Sequence, residues 1–175
     1  MMTASEMQFI IAEAAWRKGD KPAALAAYIN GISLNFDMLT TTYNQNIPAG
    51  QAITPATKAA YLANSSVVPA SANNLTLTHI MLQKYIALFG WGTQETWTDM
   101  RKFHYTDLDP VTGAQVYANL TVPSGSNLIS TNNGKLVYRC RPRFNSEYLY
   151  NIPELSRLGA LNPDYNTYEC WFSIH

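Results

Sequence analysis

Apolar positions in the first forty residues recur at helical spacing, and in two stripes rather than one. Met7, Ile10, Ile11, Ala14 and Ala15 form the first; Phe9, Ala12 and Trp16 form the second. A period near 3.6 predicts a helix, and a helix apolar on two sides is expected to pack against two neighbours. Thr3 and Glu6 stand at capping-box spacing, so the threonine hydroxyl can accept from the third helical amide while the glutamate reaches back. Gly19 suits the left-handed residue after the helix, and Asp20 suits the next N-cap. Pro22 falls in the new first turn, where its missing N–H costs little. Leu25, Tyr28, Ile29, Ile32, Phe36 and Leu39 then predict a second helix. Ala14, Ala15, Ala23, Ala24 and Ala27 let the two backbones approach. The pair reads as the two-helix unit of a tetratricopeptide-like array, and one such hairpin cannot bury both faces by itself.

Beyond it the pattern breaks and resumes. Residues 43–75 are rich in Pro, Gly, Asn and Ser and read as loop, interrupted by a short helix in TPATKAAYLA with Thr54 as N-cap and Pro55 at its first position. A strong helix follows from Leu75 or Thr76 to Phe89, striped by Leu77, Ile80, Met81, Tyr85 and Leu88 and stopped by Gly90. Thr93 can cap a further short helix ending at Arg101 or Phe103. From Thr106 to His175 periodicity fades, and only KLVYRCRPRF alternates enough for a short strand or extended segment. Such a length of irregular chain is unusual in a compact domain. The expected fold is therefore mostly α, with helical hairpins and a long irregular C-terminal segment packed on them. No domain boundary is visible.

Composition narrows the function. Lys+Arg and Asp+Glu number 12 each, for a net charge of zero. That argues against the clustered positive charge a nucleic-acid partner needs. Charged residues are only 14% of the chain, against ~25% in an average soluble domain. The polar surface must instead come from Asn, Thr, Ser, Gln and Tyr, which suits neutral ligands. No run reaches the ~18 apolar residues that cross a bilayer, and the N-terminus lacks the basic start and apolar core of a signal peptide. Cys140 and Cys170 allow one disulfide or two thiols; two isolated cysteines are more often buried free thiols.

No spacing carries a catalytic constellation or a cofactor. His79, His104 and His175 are far apart, and none lies in a metal-ligand spacing. DLDPVTG faintly resembles the start of a calcium loop but lacks the third ligand and the closing glutamate. PSGSN has no strand–helix context for a nucleophile elbow. Glu95 and Asp99 lie one helical turn apart. With Lys102 three residues after Asp99 and Arg101 four after Trp97, they read as salt-bridge partners beside a guanidinium on an indole face. A glycosidase needs carboxyls ~5–10 Å apart across a cleft, which one helix turn does not provide. The serious functional reading is of the loop aromatics, because sugar rings pack C–H faces on aromatic planes. Trp91, Tyr105, Tyr43 and Tyr117 are the candidate ligand contacts. Trp16 and Trp97 have core spacing, and Trp171 is expected to pin the tail.

The stretch SEMQFIIAEAAWRKGDKPAALAAYINGISLNFDML resembles the first block of the SusD/RagB family, outer-membrane nutrient-binding lipoproteins. Glu13, Ala14, Gly19, Asp20, Tyr28, Gly31 and Ile32 match it. Ile80 to Gly90 and then Glu95, Trp97, Asp99, Arg101 and Lys102 resemble the next block. Arg141, Arg143, Phe144, Glu147 and Asn151 match a third, with Asn145 and Ser146 in place of the usual Tyr-Pro. YECWFS is similar to the terminal tryptophan-rich block. The resemblance implies a helical, non-catalytic, surface-exposed lipoprotein. It implies a lid over a SusC-like TonB-dependent transporter, capturing a glycan or peptide. Family members are longer, so residues 1–175 read as a single C-terminal region whose lipid anchor and N-terminal part lie elsewhere. Such a piece is expected to self-associate or to pair with that part. The alternative from the hairpin alone is a helical-repeat interaction scaffold with no small ligand.

Overall fold

The computed structural model describes residues 2–43 and 45–174. The chain divides into two compact units, residues 1–100 with 106–120, and residues 101–105 with 121–175. The described residues are mostly α, with seven helices and tetratricopeptide-like hairpin packing.

In the first unit, α1 (Ala4–Lys18) and α2 (Lys21–Thr41) form the expected hairpin. The Thr3 hydroxyl accepts from the Glu6 amide at 3.0 Å, and the Glu6 carboxylate receives the Thr3 amide at 3.4 Å. Asp20 caps α2 through the Ala23 amide. The hairpin closes tightly because Gly31 has no side chain. A Cβ there would stand 3.0 Å from the ring of the buried Phe9. The Ser5 hydroxyl donates to the Gly31 carbonyl at 2.7 Å across the same contact.

That contact decides which stripe of α1 faces inward. Phe9 and Ala12 are buried, and the Trp16 indole donates to the Leu75 carbonyl at 2.8 Å. Met7, Ile10, Ile11 and Ala14 of the other stripe face solvent. Both expected neighbours of α1 are present, α2 and the helix Leu77–Leu88, while its Met7, Ile10 and Ile11 stripe is left to solvent.

Helix α3 (Pro55–Ala63) starts at the Thr54 cap and lays Tyr61 against Phe36, with ring centroids 5.2 Å apart. Helix α4 (Leu77–Leu88) supplies Leu77, Ile80, Met81, Ala87 and Leu88 to the core. Its N-terminus is held twice. Thr76 and His79 form a capping box in which the imidazole Nδ1 takes the place of a glutamate oxygen, accepting from the Thr76 amide. Asp109, fully buried, accepts from the Thr78 amide and hydroxyl at 2.8 and 2.9 Å and from the Val111 amide. The DLDPVTG stretch is a tight turn whose Asp109 holds the start of α4. Among the described residues no three His, Cys, Asp or Glu side chains gather as a metal site.

The second unit has little regular structure. Besides α6 (Glu147–Tyr150) and α7 (Ile152–Arg157), it is extended chain and turns. KLVYRCRPRF forms no strand ladder; the Tyr138 and Arg139 amides both donate to the Asn166 carbonyl. Arg139 donates to the Tyr168 and Glu169 carbonyls, and Arg141 to those of Ala160, Asn162 and Pro163. Leu155, Ala160 and Tyr165 make a small core, with Tyr148 and Tyr168 against it. Both cysteines are free thiols. Cys140 is exposed and Cys170 half-buried, so neither is the enclosed thiol that isolated cysteines suggest. Trp171, expected to pin the tail, is 86% exposed; its neighbour Phe172 lies under the Arg101 guanidinium instead.

Candidate functional site

The end of α4 and its turn set up the most site-like surface of the first unit. Gly90, at φ 91°, adopts a left-handed conformation that a β-carbon disfavours. The chain reverses there, and Gly92 returns its amide to the Leu88 carbonyl at 2.8 Å. Trp91, between the glycines, is fixed by its indole N–H, which donates to the Ala87 carbonyl at 2.7 Å. The Tyr43 ring stacks on it with centroids 5.1 Å apart and planes 20° off parallel. Both rings remain substantially exposed.

Beside this stack lies a hollow of about 510 Å³, lined by Asn35, Leu39, Tyr85, Ile86, Phe89 and Trp91. A second, of about 420 Å³, lies towards α5 (Thr93–Lys102) and is lined by Leu88, Thr93, Thr96, Trp97 and Met100. Tyr85, Phe89 and Gly90 border both. These volumes fall in the ~300–1,000 Å³ range of ligand pockets.

Of the four aromatics singled out from sequence, the structure brings Tyr43 and Trp91 together. Tyr117 lies in the core of the first unit at 3% exposure. Burial, and then the charges of Asp99 and Glu13, push its phenol pKa well above the usual tyrosine range. A buried, protonated phenol is a packing group, not a platform. Tyr105 belongs to the second unit, where its hydroxyl donates to the Val137 carbonyl and its ring meets Tyr138 edge-on. Asn35, Tyr85 and Phe89 escaped the sequence reading. An asparagine inside the apolar stripe of α2, and a phenylalanine just before the glycine that ends α4, were the available signals.

The carboxylates do not form a catalytic pair. Asp99 is ion-paired with Lys84 at 2.6 Å, both nearly buried, so α4 and α5 are joined through charge. Arg101 lies over Phe172 and donates to the Tyr138 carbonyl. Glu95 is exposed.

An exposed aromatic stack beside an apolar hollow, on a helical hairpin, is a surface that can hold a ligand. Residues 1–126 match the SusD-like family model described as starch-binding associating with outer membrane, and the chain belongs to that family. No curated protein and no solved structure matches it.

Proposed function

We propose that this chain is part of a non-catalytic nutrient-capture protein. It holds a glycan or peptide for uptake through a SusC-like TonB-dependent transporter of the outer membrane. On this reading the protein is a surface-exposed lipoprotein of the outer membrane. The observation that supports it most is the Tyr43–Trp91 stack, rigid at its tryptophan, beside an apolar hollow in a chain of a starch-binding, outer-membrane-associated family. Pre-fixed aromatic faces bind with little ordering cost. The Lys84–Asp99 pair supports a role without chemistry, because it engages one of the two acidic side chains that a hydrolase reading needs.

Calorimetric titration with a panel of oligosaccharides and short peptides tests this. Binding of at least one probe, about tenfold weaker in Trp91→Ala, is the expected result. Time-dependent cleavage of any bound probe would overturn the binding-only reading. Co-purification of a TonB-dependent transporter from outer membranes tests the partnership.

The solvent-facing stripe of Met7, Ile10 and Ile11 favours a second reading, a helical scaffold for a protein partner. Silence across the ligand panel, with concentration-dependent association that Ile10→Lys abolishes, would select it.

A further inference from the structure

We infer that Asn133 is a site of spontaneous covalent modification. Its side chain loses ammonia through a cyclic imide formed with Gly134, which leaves aspartate or isoaspartate in a surface turn.

The chemistry needs two groups side by side. The backbone nitrogen of the residue after an asparagine attacks the side-chain Cγ. The new C–N bond closes a five-membered ring, and the Cγ–Nδ2 bond breaks. The proton of the attacking nitrogen leaves with Nδ2 as ammonia. Water then opens the imide at one of its two carbonyls. Opening at the side-chain carbonyl gives aspartate; opening at the main-chain carbonyl gives isoaspartate, whose backbone runs through the former side chain. Water is the one co-reactant, and nothing is oxidised or reduced. A side chain on the following residue crowds the attack, so Asn-Gly is the least hindered pair. The chain holds two, Asn30–Gly31 and Asn133–Gly134, and the fold treats them differently.

Asn133 and Gly134 are the central residues of a turn closed by the Lys135 amide, which donates to the Asn132 carbonyl at 3.0 Å. Asn133 has φ 52° and ψ 40°, and Gly134 has φ 75°. These are the angles of a type I′ turn, for which Asn-Gly is a favoured pair. Ring closure requires the Gly134 nitrogen to eclipse Cβ of Asn133. In an L-residue that happens at ψ about −120°, which is the ψ of the first central residue of a type II′ turn, at a φ of about 60°. Asn133 therefore already has the φ of the reactive conformer. A flip of the one peptide plane between the two residues supplies the ψ. It asks Gly134 to change the sign of φ, which glycine does without steric cost. The Lys135–Asn132 bond closes either turn type, so the reactive geometry is reached without unfolding. Both residues are exposed, and a Cβ on Gly134 would meet nothing within 4 Å, so the flip has room. Among the described residues, no backbone acceptor holds the Gly134 amide.

Asn30–Gly31 has the same local sequence and none of this freedom. It lies inside α2, where the backbone ladder holds ψ at its helical value. The Gly31 backbone is pressed against the Phe9 ring, and its carbonyl accepts from the Ser5 hydroxyl. Turning Asn30 to the reactive ψ breaks α2 at its contact with α1, so this pair reacts only when the helix opens.

The test incubates the folded chain in mildly alkaline buffer. Each asparagine is followed by peptide mapping with mass spectrometry, with aspartyl and isoaspartyl peptides resolved by chromatography. Asn133 should convert at least about tenfold faster than Asn30 and should yield isoaspartate as well as aspartate. In concentrated urea, where turn and helix are both gone, the two pairs should convert at similar rates. Asn133→Gln should remove the fast site and leave the Asn30 rate unchanged. The inference is overturned if Asn30 keeps pace with Asn133 in the folded chain. It is equally overturned if folded Asn133 converts no faster than asparagines followed by larger residues, or if it yields aspartate alone, the mark of direct hydrolysis.

Discussion

The two units solve one problem in opposite ways. Every backbone carbonyl removed from water needs a donor. In α1, α2 and α4 the helix supplies it, so side chains such as Phe9, Tyr28 and Ile80 are free to make a core. In residues 121–175 little helix or strand does this, so side chains take over. Two arginines, Arg139 and Arg141, between them donate to five backbone carbonyls. The price is a small core, three buried residues with two tyrosines against them. Where a chain lacks periodic backbone bonding, an Arg can substitute because its rigid fork carries five donors.

The sharpest way to break this contrast is to remove apolar volume from the helical unit. Phe9→Ala should cost about 3–5 kcal/mol in urea denaturation, because Gly31 offers nothing to refill the space. A loss under 1 kcal/mol would mean that the α1–α2 contact is not what holds this unit.

Next comes the arginine scaffold. Arg141→Met keeps most of the stem and removes the donors. It should cost about 1.5–3 kcal/mol, the range for a charged hydrogen bond. Amide exchange should accelerate in residues 155–168 while α1 and α2 keep their protection. Equal acceleration in both units would erase the distinction.

Much of the helical unit was legible because helix ends are written locally. Thr3 with Glu6, Asp20 with Pro22, Thr54 with Pro55, and Gly90 mark boundaries without reference to anything distant. What was not legible depended on distant partners. Both stripes of α1 are apolar, and only the gap at Gly31 on α2 selects Phe9 over Ile10. The same limit applied to the site. Nothing next to Tyr117 says that it is buried, and nothing next to Tyr43 says that Trp91 will meet it. In the second unit, RCRPRF alternates like a strand, but its arginines bond to carbonyls twenty to thirty residues away, a pairing no local pattern records.

A smaller effect sharpens the contrast from within the helical unit, where one helix start is itself held by side chains. His79 must be neutral for its Nδ1 to accept from Thr76. Burial lowers its pKa from the ordinary 6.5, with the Asp109 charge opposing. The unfolded chain therefore takes up this proton first, so the contribution is present above about pH 6.5 and is lost as pH falls through the folded value. At Asp109, burial alone would raise the pKa, but hydrogen bonds from Thr78, Val111 and Thr112 outweigh it and lower the pKa. Its contribution is kept above the ordinary 3.8 and is lost as pH falls further. Thr76→Ala should cost about 1 kcal/mol at pH 8. His79→Gln, which keeps an acceptor at the third helical position, should flatten the stability profile below about pH 6.5. A slope that survives His79→Gln would assign it to another group.

The smallest effect is Lys58→Ala. The Lys58–Asp37 pair is close, 2.6 Å, but its aspartate is mostly exposed. A change above about 1 kcal/mol would contradict the weak-surface-pair expectation.

The outward stripe of α1 also has a calorimetric consequence. Met7, Ile10 and Ile11 are already partly hydrated in the folded chain, so unfolding exposes less new apolar surface there than it does for a fully packed helix. Heat capacity on unfolding scales with that new exposure. The increment should fall below the roughly 2.1–2.6 kcal/mol/K of an average chain of this length. Whatever covers the stripe will recover the difference as a negative heat-capacity change of binding.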